Sequence, residues 1–293
     1  MFKKKQEAHR RALYFDERVG AGLTQRFKVN RWLYKDVTPF QKISIFENDT
    51  MGRVMVLDGY VQTTTADEYM YHEMLAHVPL FGHGKAKRIL IIGGGDGGTL
   101  RRCLEHTDVE HVTMVEIDRR VVEAAKKWMP EISAGAFEDP RCLLIIGDGL
   151  SFVKKTEEKF DVILVDSTDP VGAATRLFTQ EFYKDCRNCL ASGGVLAPQS
   201  GMPFFQKDEA RNTHVYLKNL FKDAWFFTTC VPSYYGGHII FGWATDNVDL
   251  RCQTEREIGE RLKKTKIKTG YYNAQIHVSS FVLPQFMAKI IKN

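Results

Sequence analysis

The feature that most constrains the fold is a glycine-rich turn between an apolar strand and a helix. Residues 89–92 are aliphatic, and five of the six residues 93–98 are glycine. Glycine permits a tight turn and lets a ligand approach bare backbone. A strand–helix turn needs only one or two glycines, so five favour a ligand-binding loop. The G-x-G-x-x-G spacing at Gly93, Gly95 and Gly98 leaves open whether the ligand is a dinucleotide or another adenosine derivative.

From residue 88 onward, strand-like and helix-like segments alternate. Four buried strands are predicted, at residues 88–92, 112–117, 142–146 and 161–165. The glycine turn leads into a helix that ends near residue 104, and a second helix is predicted at residues 121–129. Such alternation predicts an α/β fold, in which a Rossmann-like, parallel-rich sheet has helices on both faces.

The preceding residues, 26–65, have a different pattern. Short apolar or alternating segments, such as 42–46 and 54–57, are separated by Asn, Asp and Gly turn signals. Segments of this length and punctuation predict β-hairpins. A small N-terminal antiparallel β domain is therefore expected ahead of the α/β part.

The border between the two parts is expected at the end of a predicted helix. Apolar residues recur at helical spacing over residues 71–78, and Pro79 and a Gly-His-Gly sequence at 82–84 follow. Proline and glycine there predict that the helix ends and a loop begins. We expect an N-terminal β-strand domain at residues 1–78 and a Rossmann-like catalytic domain at residues 79–293.

Acidic residues stand at the carboxyl ends of the predicted strands, the edge at which open α/β sheets bind ligands. Glu116 ends the second strand and could accept the ribose hydroxyls of an adenosine. Asp118 could do so instead, and either could cap the following helix. Asp148 and Gly149 follow the third strand, where an acidic side chain can reach the adenine amino group. The pattern predicts an adenosine pocket.

Three more carboxylates are expected at this pocket. Asp166 and Asp169 follow the fourth strand, and Asp96 lies in the glycine turn. A turn whose side chains bond their own backbone would explain one such aspartate more easily than two. Clustered carboxylates attract a cationic substrate and repel a phosphate-rich dinucleotide, so they weigh against a nicotinamide-dependent oxidoreductase.

Composition and charge exclude several other classes. Lys and Arg number 41 against 36 Asp and Glu, a net charge of +5, and the basic runs at residues 3–5 and 263–268 fit solvated faces better than a nucleic-acid site. No apolar run reaches the ~20 residues that span a membrane. The basic N-terminus lacks the apolar segment of a secretory signal. We expect a cytoplasmic protein whose six cysteines are thiols.

No metal site is expected. Cys186 and Cys189 have the spacing of a metal or redox motif, but no second pair or Cys/His set accompanies them. They fall on a predicted helix at residues 179–190, which a Ser-Gly-Gly sequence at 192–194 should end. Buried thiols are therefore the favoured interpretation.

Several motifs, in this order, resemble those of one family. They are GGGDGG at 93–98, VEID at 115–118, GDG at 147–149, DSTDP at 166–170 and PSYYGG at 232–237. The ordered set is similar to the polyamine aminopropyltransferases, and among them to the spermidine synthases, and the similarity covers most of the chain. The resemblance implies a small β domain, a methyltransferase-type Rossmann-like domain, and a homodimer or homotetramer.

The resemblance also implies an activity. An aminopropyl group would pass from decarboxylated S-adenosylmethionine, a co-substrate rather than a resident cofactor, to putrescine, with an aspartate as general base and no covalent intermediate. The products would be spermidine and methylthioadenosine. Cadaverine, agmatine or spermidine could be the acceptor instead. An S-adenosylmethionine-dependent methyltransferase and an inert adenosine-binding module remain alternatives.

The same resemblance implies a role for individual residues. Asp166 would be the catalytic proton acceptor, Asp169 would hold the diamine, and Asp96 would bind the aminopropyl ammonium. Further residues of the amine channel would be Tyr71, His72, Gln199 and Tyr234. Contacts to the nucleoside would come from Gln41, Gly93, Gly95, Asp96, Glu116, Asp148, Gly149 and Ala173. The family usually has proline at the position of Ala173, so the gating loop is expected to be less rigid here.

Overall fold

Antiparallel strands make up the N-terminal part of the molecule. The computed structural model describes residues 13–19, 21–169 and 172–292, without the side chains of 172 and 173. The first six strands are β1 (Leu13–Val19), β2 (Leu23–Val29), β3 (Arg31–Val37), β4 (Lys42–Asn48), β5 (Gly52–Leu57) and β6 (Tyr60–Thr64). β1 and β2 form a hairpin, and β3 to β6 form a four-stranded antiparallel sheet in sequential order. The predicted antiparallel β region is confirmed.

The remainder of the chain alternates between helices and strands. Its helices are α1 (Glu68–His83), α2 (Gly98–Leu104), α3 (Arg119–Trp128), α4 (Pro130–Ser133), α5 (Gly149–Lys155), α6 (Gln180–Cys189), α7 (Lys207–Leu220), α8 (Glu255–Thr265), α9 (Ala274–Ser280) and α10 (Gln285–Lys292). Its strands are β7 (Arg88–Gly93), β8 (His111–Glu116), β9 (Cys142–Ile146), β10 (Phe160–Asp166), β11 (Leu190–Pro198), β12 (Asp223–Cys230) and β13 (His238–Thr245). Short 3-10 helices lie at Ala136–Glu138, Gly172–Phe178 and Val248–Arg251.

One seven-stranded sheet organises this part, in the order β12-β13-β11-β10-β7-β8-β9. The five strands from β11 to β9 are parallel, whereas β13 is antiparallel to β11 and β12 is antiparallel to β13. This is the predicted methyltransferase-type, parallel-rich sheet. Solvent is kept from both faces, so its central strands can be almost continuously apolar.

Alternating side chains of the central strands enter two separate cores. Ile89 and Ile91 of β7 pack with apolar residues of α1 and α2 on one face. Leu90 and Ile92 pack with residues of α5, α6 and α7 on the other. A strand whose side chains alternate between two buried faces cannot shift its register by one residue without exchanging its two sets of contacts. The carboxyl end of β7 is therefore held firmly in place.

The four-stranded sheet is attached to the α/β part by its own two faces. Ile43 and Ile45 of β4 pack against Val121 and Ala125 of α3. Phe46 and residues of β5 on the opposite face pack against the hairpin formed by β1 and β2. The hairpin, the sheet and α3 thus form consecutive layers, and the sheet is brought beside the carboxyl end of β8.

α1 departs from the predicted border. The helix continues through Pro79 to His83 and is buried along most of its length. Proline removes one backbone hydrogen bond, but burial of an almost entirely enclosed helix outweighs that loss. Its end is capped by Gly84, whose N–H donates to the carbonyl of Leu80 over 2.8 Å, and by the guanidinium of Arg261. The predicted loop at 82–84 is wrong, and the division at residue 78 falls inside this helix.

The carboxylate of Glu73 ties α1 to the C-terminal segment. It is 1% exposed and accepts hydrogen bonds from the backbone N–H groups of Gly270, Tyr271 and Tyr272 over 2.8–2.9 Å. Three backbone donors satisfy a buried carboxylate that would otherwise be costly to enclose. Residues beyond α8 therefore help to set the position of α1.

A second boundary prediction also changes. The helix predicted at 179–190 is α6, and Cys186 and Cys189 are buried on it as expected. The Ser-Gly-Gly sequence at 192–194, however, lies inside β11 and does not follow the helix as a loop. All six cysteines of the chain are unpaired.

The turn after β7 requires glycine for a specific reason. Gly93 has φ +82°, and a Cβ there would lie 2.2 Å from the carbonyl oxygen of Asp166. The next residue, Gly94, donates its N–H to that carbonyl over 2.8 Å. The glycine turn and the end of β10 are thus in direct backbone contact, which leaves no room for a side chain.

We predict that Gly93→Ala destabilises the protein far more than Gly135→Ala. Both residues have a left-handed backbone, but a Cβ at Gly135 meets nothing within 4 Å. Gly135→Ala should cost about 1–2 kcal/mol of unfolding free energy from conformational strain alone. Gly93→Ala adds a backbone clash and should cost about 3 kcal/mol or more. Equal costs in urea unfolding would contradict this account of the turn.

Candidate active site

A cavity opens at the carboxyl ends of β7, β8 and β10. β7 and β10 are neighbours in the sheet although β8 and β9 intervene in the sequence, so the chain order reverses between them. Open α/β sheets bind their ligands in the crevice at such a point. The other walls come from the N-terminal sheet and from the loop 231–237 between β12 and β13.

Most residues that the sequence singled out meet in this cavity. Those that line it are Gln41, Tyr71, His72, Gly93, Gly95, Asp96, Glu116, Asp148, Gly149, Asp166, Asp169, Gln199 and Tyr234. Ala173 lies in the 3-10 helix Gly172–Phe178, and its side chain is outside the described part of the chain. The structure therefore brings thirteen of the fourteen together, while the role of each stays a prediction.

Asp166 ends β10 with both carboxylate oxygens hydrogen-bonded. The Tyr71 hydroxyl donates to Oδ1 over 2.8 Å, and the Thr99 hydroxyl donates to Oδ2 over 2.6 Å. Burial, followed by the negative charge of Asp96, raises the pKa of Asp166 above its ordinary value. A carboxylate with a raised pKa accepts a proton more readily than one in water.

Asp96 lies beside the buried imidazole of His72. Its Oδ1 accepts the N–H of Gly98 over 2.7 Å and lies 3.4 Å from Nε2 of His72. The other ring nitrogen of His72, Nδ1, is 2.7 Å from a carboxylate oxygen of Glu68. Burial lowers the pKa of His72, but the carboxylates of Asp96 and Glu68 outweigh it and raise the pKa well above its ordinary value. Each ring nitrogen of His72 therefore faces a carboxylate, an arrangement that favours the doubly protonated imidazole.

The Glu68 carboxylate belongs to a larger buried network. Its second oxygen accepts a hydrogen bond from Arg102 over 3.1 Å, and Arg102 also donates to Glu105 over 2.9 Å. Arg102 and Glu68 are both buried. Because Glu68 is shared between a guanidinium and His72, the histidine is fixed by contacts that lie behind the cavity wall.

Asp169 lies at a second, more polar end of the cavity. Gln199 donates its side-chain N–H to Oδ1 over 3.2 Å, and the Tyr235 hydroxyl donates to Oδ2 over 3.4 Å. Burial raises the pKa of Asp169. The carbonyl oxygen of the Gln199 side chain is buried and has no hydrogen-bond partner within the described residues. It is free to accept a bond from a bound molecule.

The two tyrosines of loop 231–237 make different contacts. The ring of Tyr234, which the resemblance places in the amine channel, lines the cavity, whereas its hydroxyl donates to the backbone carbonyl of Gln62 over 2.7 Å. Tyr235 lines the cavity and its hydroxyl donates to Asp169. The hydroxyl of Tyr234 serves to join this loop to the N-terminal sheet.

Sequence reasoning missed Glu17 of β1. This carboxylate lines the cavity, is 1% exposed, and accepts the N–H of Val61 over 2.9 Å through Oε1. Its Oε2 has no hydrogen-bond partner in the part of the chain described. Burial raises its pKa to about 7. The available signal was its position on β1, where it takes an inward-facing place beside buried Val19 in the alternating pattern.

Glu116, rather than Asp118, faces the cavity. Glu116 lines the wall, and burial raises its pKa to about 7. Asp118 caps α3 by accepting the N–H of Arg120, and it also accepts a hydrogen bond from the side chain of Gln41 over 3.1 Å. The two alternatives left open by the sequence are thus distinguished, and Asp118 acts as a helix cap that also positions Gln41.

Asp148 also serves as a helix cap. Its Oδ1 accepts the N–H of Leu150 over 3.1 Å, and its Oδ2 accepts the hydroxyl of Ser151 over 2.9 Å. The residue lines the cavity beside Gly149. Each carboxylate oxygen keeps a further lone pair, so a contact with an adenine amino group stays a prediction.

The cavity carries more negative than positive charge. Within the described residues Asp96 forms one ion pair, with His72, and Asp166 and Asp169 form none. This excess of carboxylates in the cavity suits a cationic ligand.

The described part of the chain contains neither a metal-ion cluster nor a helix that could cross a membrane. There, no group of three or more His, Cys, Asp or Glu side chains is arranged to hold a metal ion. None of the described helices combines the length and apolar character that a membrane crossing requires.

Two family models match the chain. A spermine/spermidine synthase domain matches residues 68–254, and a spermidine synthase tetramerisation domain matches residues 13–65. A polyamine aminopropyltransferase from Pectobacterium carotovorum subsp. carotovorum is 48% identical over 277 residues, which cover 94% of this chain and 96% of that relative. The chain belongs to the polyamine aminopropyltransferase family.

Further aminopropyltransferase relatives and solved structures agree with this assignment. Polyamine aminopropyltransferase 1 of Pseudomonas aeruginosa is 48% identical over 94% of this chain and 97% of its own. A crystal structure of spermidine synthase with the transition-state analogue AdoDATO superposes with a TM-score of 0.91 at 37% identity, covering 99% of this chain and 97% of that one. The spermidine synthase of Thermotoga maritima gives 0.90 at 38% identity, covering 97% and 95%.

The assignment makes the protein an aminopropyltransferase enzyme, as the motifs predicted. The two family matches adjoin at residues 65–68, close to the start of α1. The predicted division at residue 78 is not tested by these matches and stays a prediction. The family match to residues 68–254 includes the acidic residues of the cavity except Glu17 and Asp58, which lie in the N-terminal match.

We predict that the His72 imidazole of this aminopropyltransferase is still doubly protonated at about pH 7.5, above its unfolded pKa of about 6.5. Its raised pKa contributes stability that is fully present below the unfolded pKa and is lost as pH rises through the folded pKa. NMR of ¹⁵N-histidine protein, with the signal assigned from His72→Gln, measures this directly. His106 and His277, whose pKa values burial lowers to about 3, are neutral controls. A neutral His72 at that pH would contradict the geometry.

Proposed function

We propose that the protein is a spermidine synthase, which transfers the aminopropyl group of decarboxylated S-adenosylmethionine to putrescine. The observation that carries this proposal is the row of carboxylates Asp96, Asp166 and Asp169 along one cavity that also contains Glu116 at its nucleoside end. A polyamine is a chain of separated ammonium groups, and it needs separated anions. The AdoDATO complex of a related spermidine synthase supports a nucleoside-linked donor.

Selection of the donor follows from the charge on Asp96. Ordinary S-adenosylmethionine carries a carboxylate on the carbon next to its amino group, whereas the decarboxylated form carries only the ammonium. Asp96 lies in the glycine turn and lines the cavity. Two anions about 4 Å apart at an effective dielectric of about 20 repel by about 4 kcal/mol, which is enough for strong discrimination. We infer that Asp96 accepts the ammonium and rejects the carboxylate.

The transfer is a direct displacement at carbon. Putrescine first loses a proton from one amine, because a protonated nitrogen has no lone pair with which to attack. That nitrogen then bonds to the methylene next to the sulfonium, the carbon–sulfur bond breaks, and its electron pair neutralises the sulfur of methylthioadenosine. Asp166 takes the proton, and general-base catalysis of this kind contributes typically ~10²–10⁴-fold. The raised pKa of Asp166 suits it to this role.

The other end of the acceptor would bind at the polar end of the cavity. Asp169, Gln199 Oε1 and Glu17 Oε2 are acceptors there, and the last two are buried atoms without a hydrogen-bond partner among the described residues. An ammonium near Glu17 would favour its ionised form, because an opposite charge opposes the effect of burial on the pKa. This end recognises the amine that does not react and so fixes how far the reactive nitrogen lies from the donor.

The nucleoside would bind at the opposite end. Glu116 would accept the ribose hydroxyls, Gln41 would contact the same part of the ligand, and Asp148 with Gly149 would face the base. Gly93 and Gly95 would let the donor approach the bare backbone. A Cβ at Gly95 would lie 3.0 Å from the carboxylate of Glu116, which is proposed to accept the ribose hydroxyls. The leaving sulfur then lies between the two ends, near Asp96.

Assembly and cellular location belong to the same proposal. The match of residues 13–65 to a tetramerisation domain supports a homotetramer or homodimer. The hairpin of β1 and β2 exposes Leu13, Tyr14 and Leu23, apolar side chains suited to a subunit interface.

The sulfonium supplies the leaving group, so the reaction requires no resident cofactor. Six unpaired thiols support a cytoplasmic location.

We predict that the protein makes spermidine and methylthioadenosine from putrescine and the decarboxylated donor, and no product from ordinary S-adenosylmethionine. Chromatography with mass detection, run with both donors and with putrescine, cadaverine, agmatine and spermidine, measures this. Putrescine should give the largest kcat/KM because the spacing of its two ammonium groups is proposed to match the cavity. A methylated amine without spermidine would refute the proposed reaction, and a preference for another amine would refute putrescine alone.

We predict that Asp166→Asn lowers kcat by about 10²–10⁴-fold, because an amide cannot accept the proton. Asp161→Asn is the matched control: it lies on the same strand, β10, where its carboxylate accepts the backbone N–H groups of Lys87 and Arg88 over 2.7 Å and 3.0 Å. An amide oxygen can accept these bonds, so activity should be unchanged. Steady-state kinetics checks both variants. An Asp166→Asn enzyme within a few-fold of wild type would remove Asp166 from the chemistry.

A further inference from the structure

Thr99 contacts the reactive carboxylate, and no motif drew attention to it. It is the second residue of α2, three positions after Asp96, and it is 0% exposed. Its hydroxyl donates to Oδ2 of Asp166 over 2.6 Å, the shorter of the two hydrogen bonds that Asp166 accepts from side chains. The glycine turn that presents Asp96 therefore also brings a hydroxyl to Asp166.

The two hydroxyls on Asp166 act on different oxygens. Tyr71 of α1 bonds Oδ1 and Thr99 of α2 bonds Oδ2, so the plane of the carboxylate is fixed from two separate helices. Each carboxylate oxygen has a further lone pair, and these remain for an incoming amine. A carboxylate held in one rotamer keeps such a lone pair directed at the attacking nitrogen, which is the orientation effect that catalysis exploits.

We propose that Thr99 is a positioning residue for Asp166. The Thr99 hydroxyl fixes the orientation of the Asp166 carboxylate and favours the ionised form of that carboxylate. The inference rests on the proposed role of Asp166 as general base. Thr99 touches neither donor nor acceptor in this account and acts through the carboxylate alone. Hydrogen bonds donated to a charged group are stronger than those between neutral groups, so a single hydroxyl is sufficient for this effect.

Other groups around Asp166 set the background on which Thr99 acts. The titratable groups that interact with it electrostatically are Asp96 of the glycine turn, His72 and Tyr71 of α1, Cys103 of α2, Glu116 of β8 and Tyr234 of loop 231–237. Burial and Asp96 raise the pKa of Asp166, while His72, Thr99 and Tyr71 lower it. Loss of the Thr99 hydroxyl removes one of the lowering contributions, so the pKa of Asp166 rises.

Two pairs of variants separate the hydroxyl from the space that it fills. Thr99→Val keeps the volume and removes the hydroxyl, whereas Thr99→Ser keeps the hydroxyl and removes the methyl. Thr99→Ala and Thr99→Ser both lack the methyl and differ only by the hydroxyl, so they serve if the valine variant does not fold. Thr213 of α7 is likewise buried, with 1% of its surface exposed, so Thr213→Val controls for replacing a buried hydroxyl by a methyl.

We plot kcat/KM against pH. In Thr99→Val, we expect the acidic limb of this profile to shift to a higher pH by about one unit. Its kcat on the plateau should fall about tenfold. Thr99→Ser and Thr213→Val should stay close to wild type on both measures. The alanine variant should behave like the valine variant and be rescued by serine.

A second readout does not depend on turnover. The Asp166 carboxyl is titrated by ¹³C NMR in protein labelled at aspartate carboxyls, with the signal assigned from Asp166→Asn. Its pKa should rise in Thr99→Val and not in Thr99→Ser. Unchanged titration and unchanged profiles, or a serine variant as impaired as the valine variant, would overturn the inference. If the wild type transfers no aminopropyl group, the proposed function fails, and this titration still decides the effect of Thr99 on Asp166.

Discussion

Asp96, Asp166 and Asp169 face one cavity, and within the described residues the contact of Asp96 with His72 is the one ion pair that these carboxylates form. Like charges repel strongly where water is partly excluded, and burial adds to the cost of ionisation. Burial raises the pKa values of both Asp166 and Asp169, and the negative charge of Asp96 raises that of Asp166 further. A bound polycation would supply the missing positive charge and let the carboxylates ionise. Affinity for amines and the capacity to accept a proton thus have a common electrostatic origin.

The fold creates this imbalance by collecting residues from distant parts of the chain. Parallel strands bring Asp96, Glu116 and Asp166 to one edge of the sheet, because their carboxyl ends all point the same way. α1 crosses behind that edge and adds Tyr71 and His72 from consecutive positions. The N-terminal sheet then closes the cavity from the other side. The carboxylates of the cavity are therefore covered by elements that the central sheet alone does not contain.

Sequence patterns predicted the centre of the molecule well, because local signals there agree with the final packing. The four strands from β7 to β10 begin and end within one residue of their predicted positions, since each is an apolar run. Strands β7, β8 and β10 are buried on both faces, whereas β9, predicted to be buried, is a partly exposed edge strand. Asp166 and Asp169 could be placed at the cavity because strand ends determine where they lie. Pro79 misled the prediction, because the burial of α1 depends on layers far away in the sequence.

Glu17 and Thr99 could not be found in the same way. Glu17 reaches the cavity only after the hairpin of β1 and β2 has folded over the four-stranded sheet, so its local pattern shows an inward position but not what it faces. Thr99 is one threonine at the start of a short helix, and its hydrogen bond depends on a strand 67 positions away. The choice between Glu116 and Asp118 likewise required the contact of Asp118 with Gln41.

The contact between Glu73 and the segment that follows α8 gives the end of the chain an unexpected importance. Glu73 adjoins His72 on α1, and its carboxylate is satisfied by the backbone of residues 270–272, which lie beyond the residue-254 limit of the synthase family match. A polypeptide that stopped before residue 270 would leave this carboxylate buried without those donors, a costly defect next to the wall of the cavity. Premature termination late in translation would therefore disturb the cavity as well as stability.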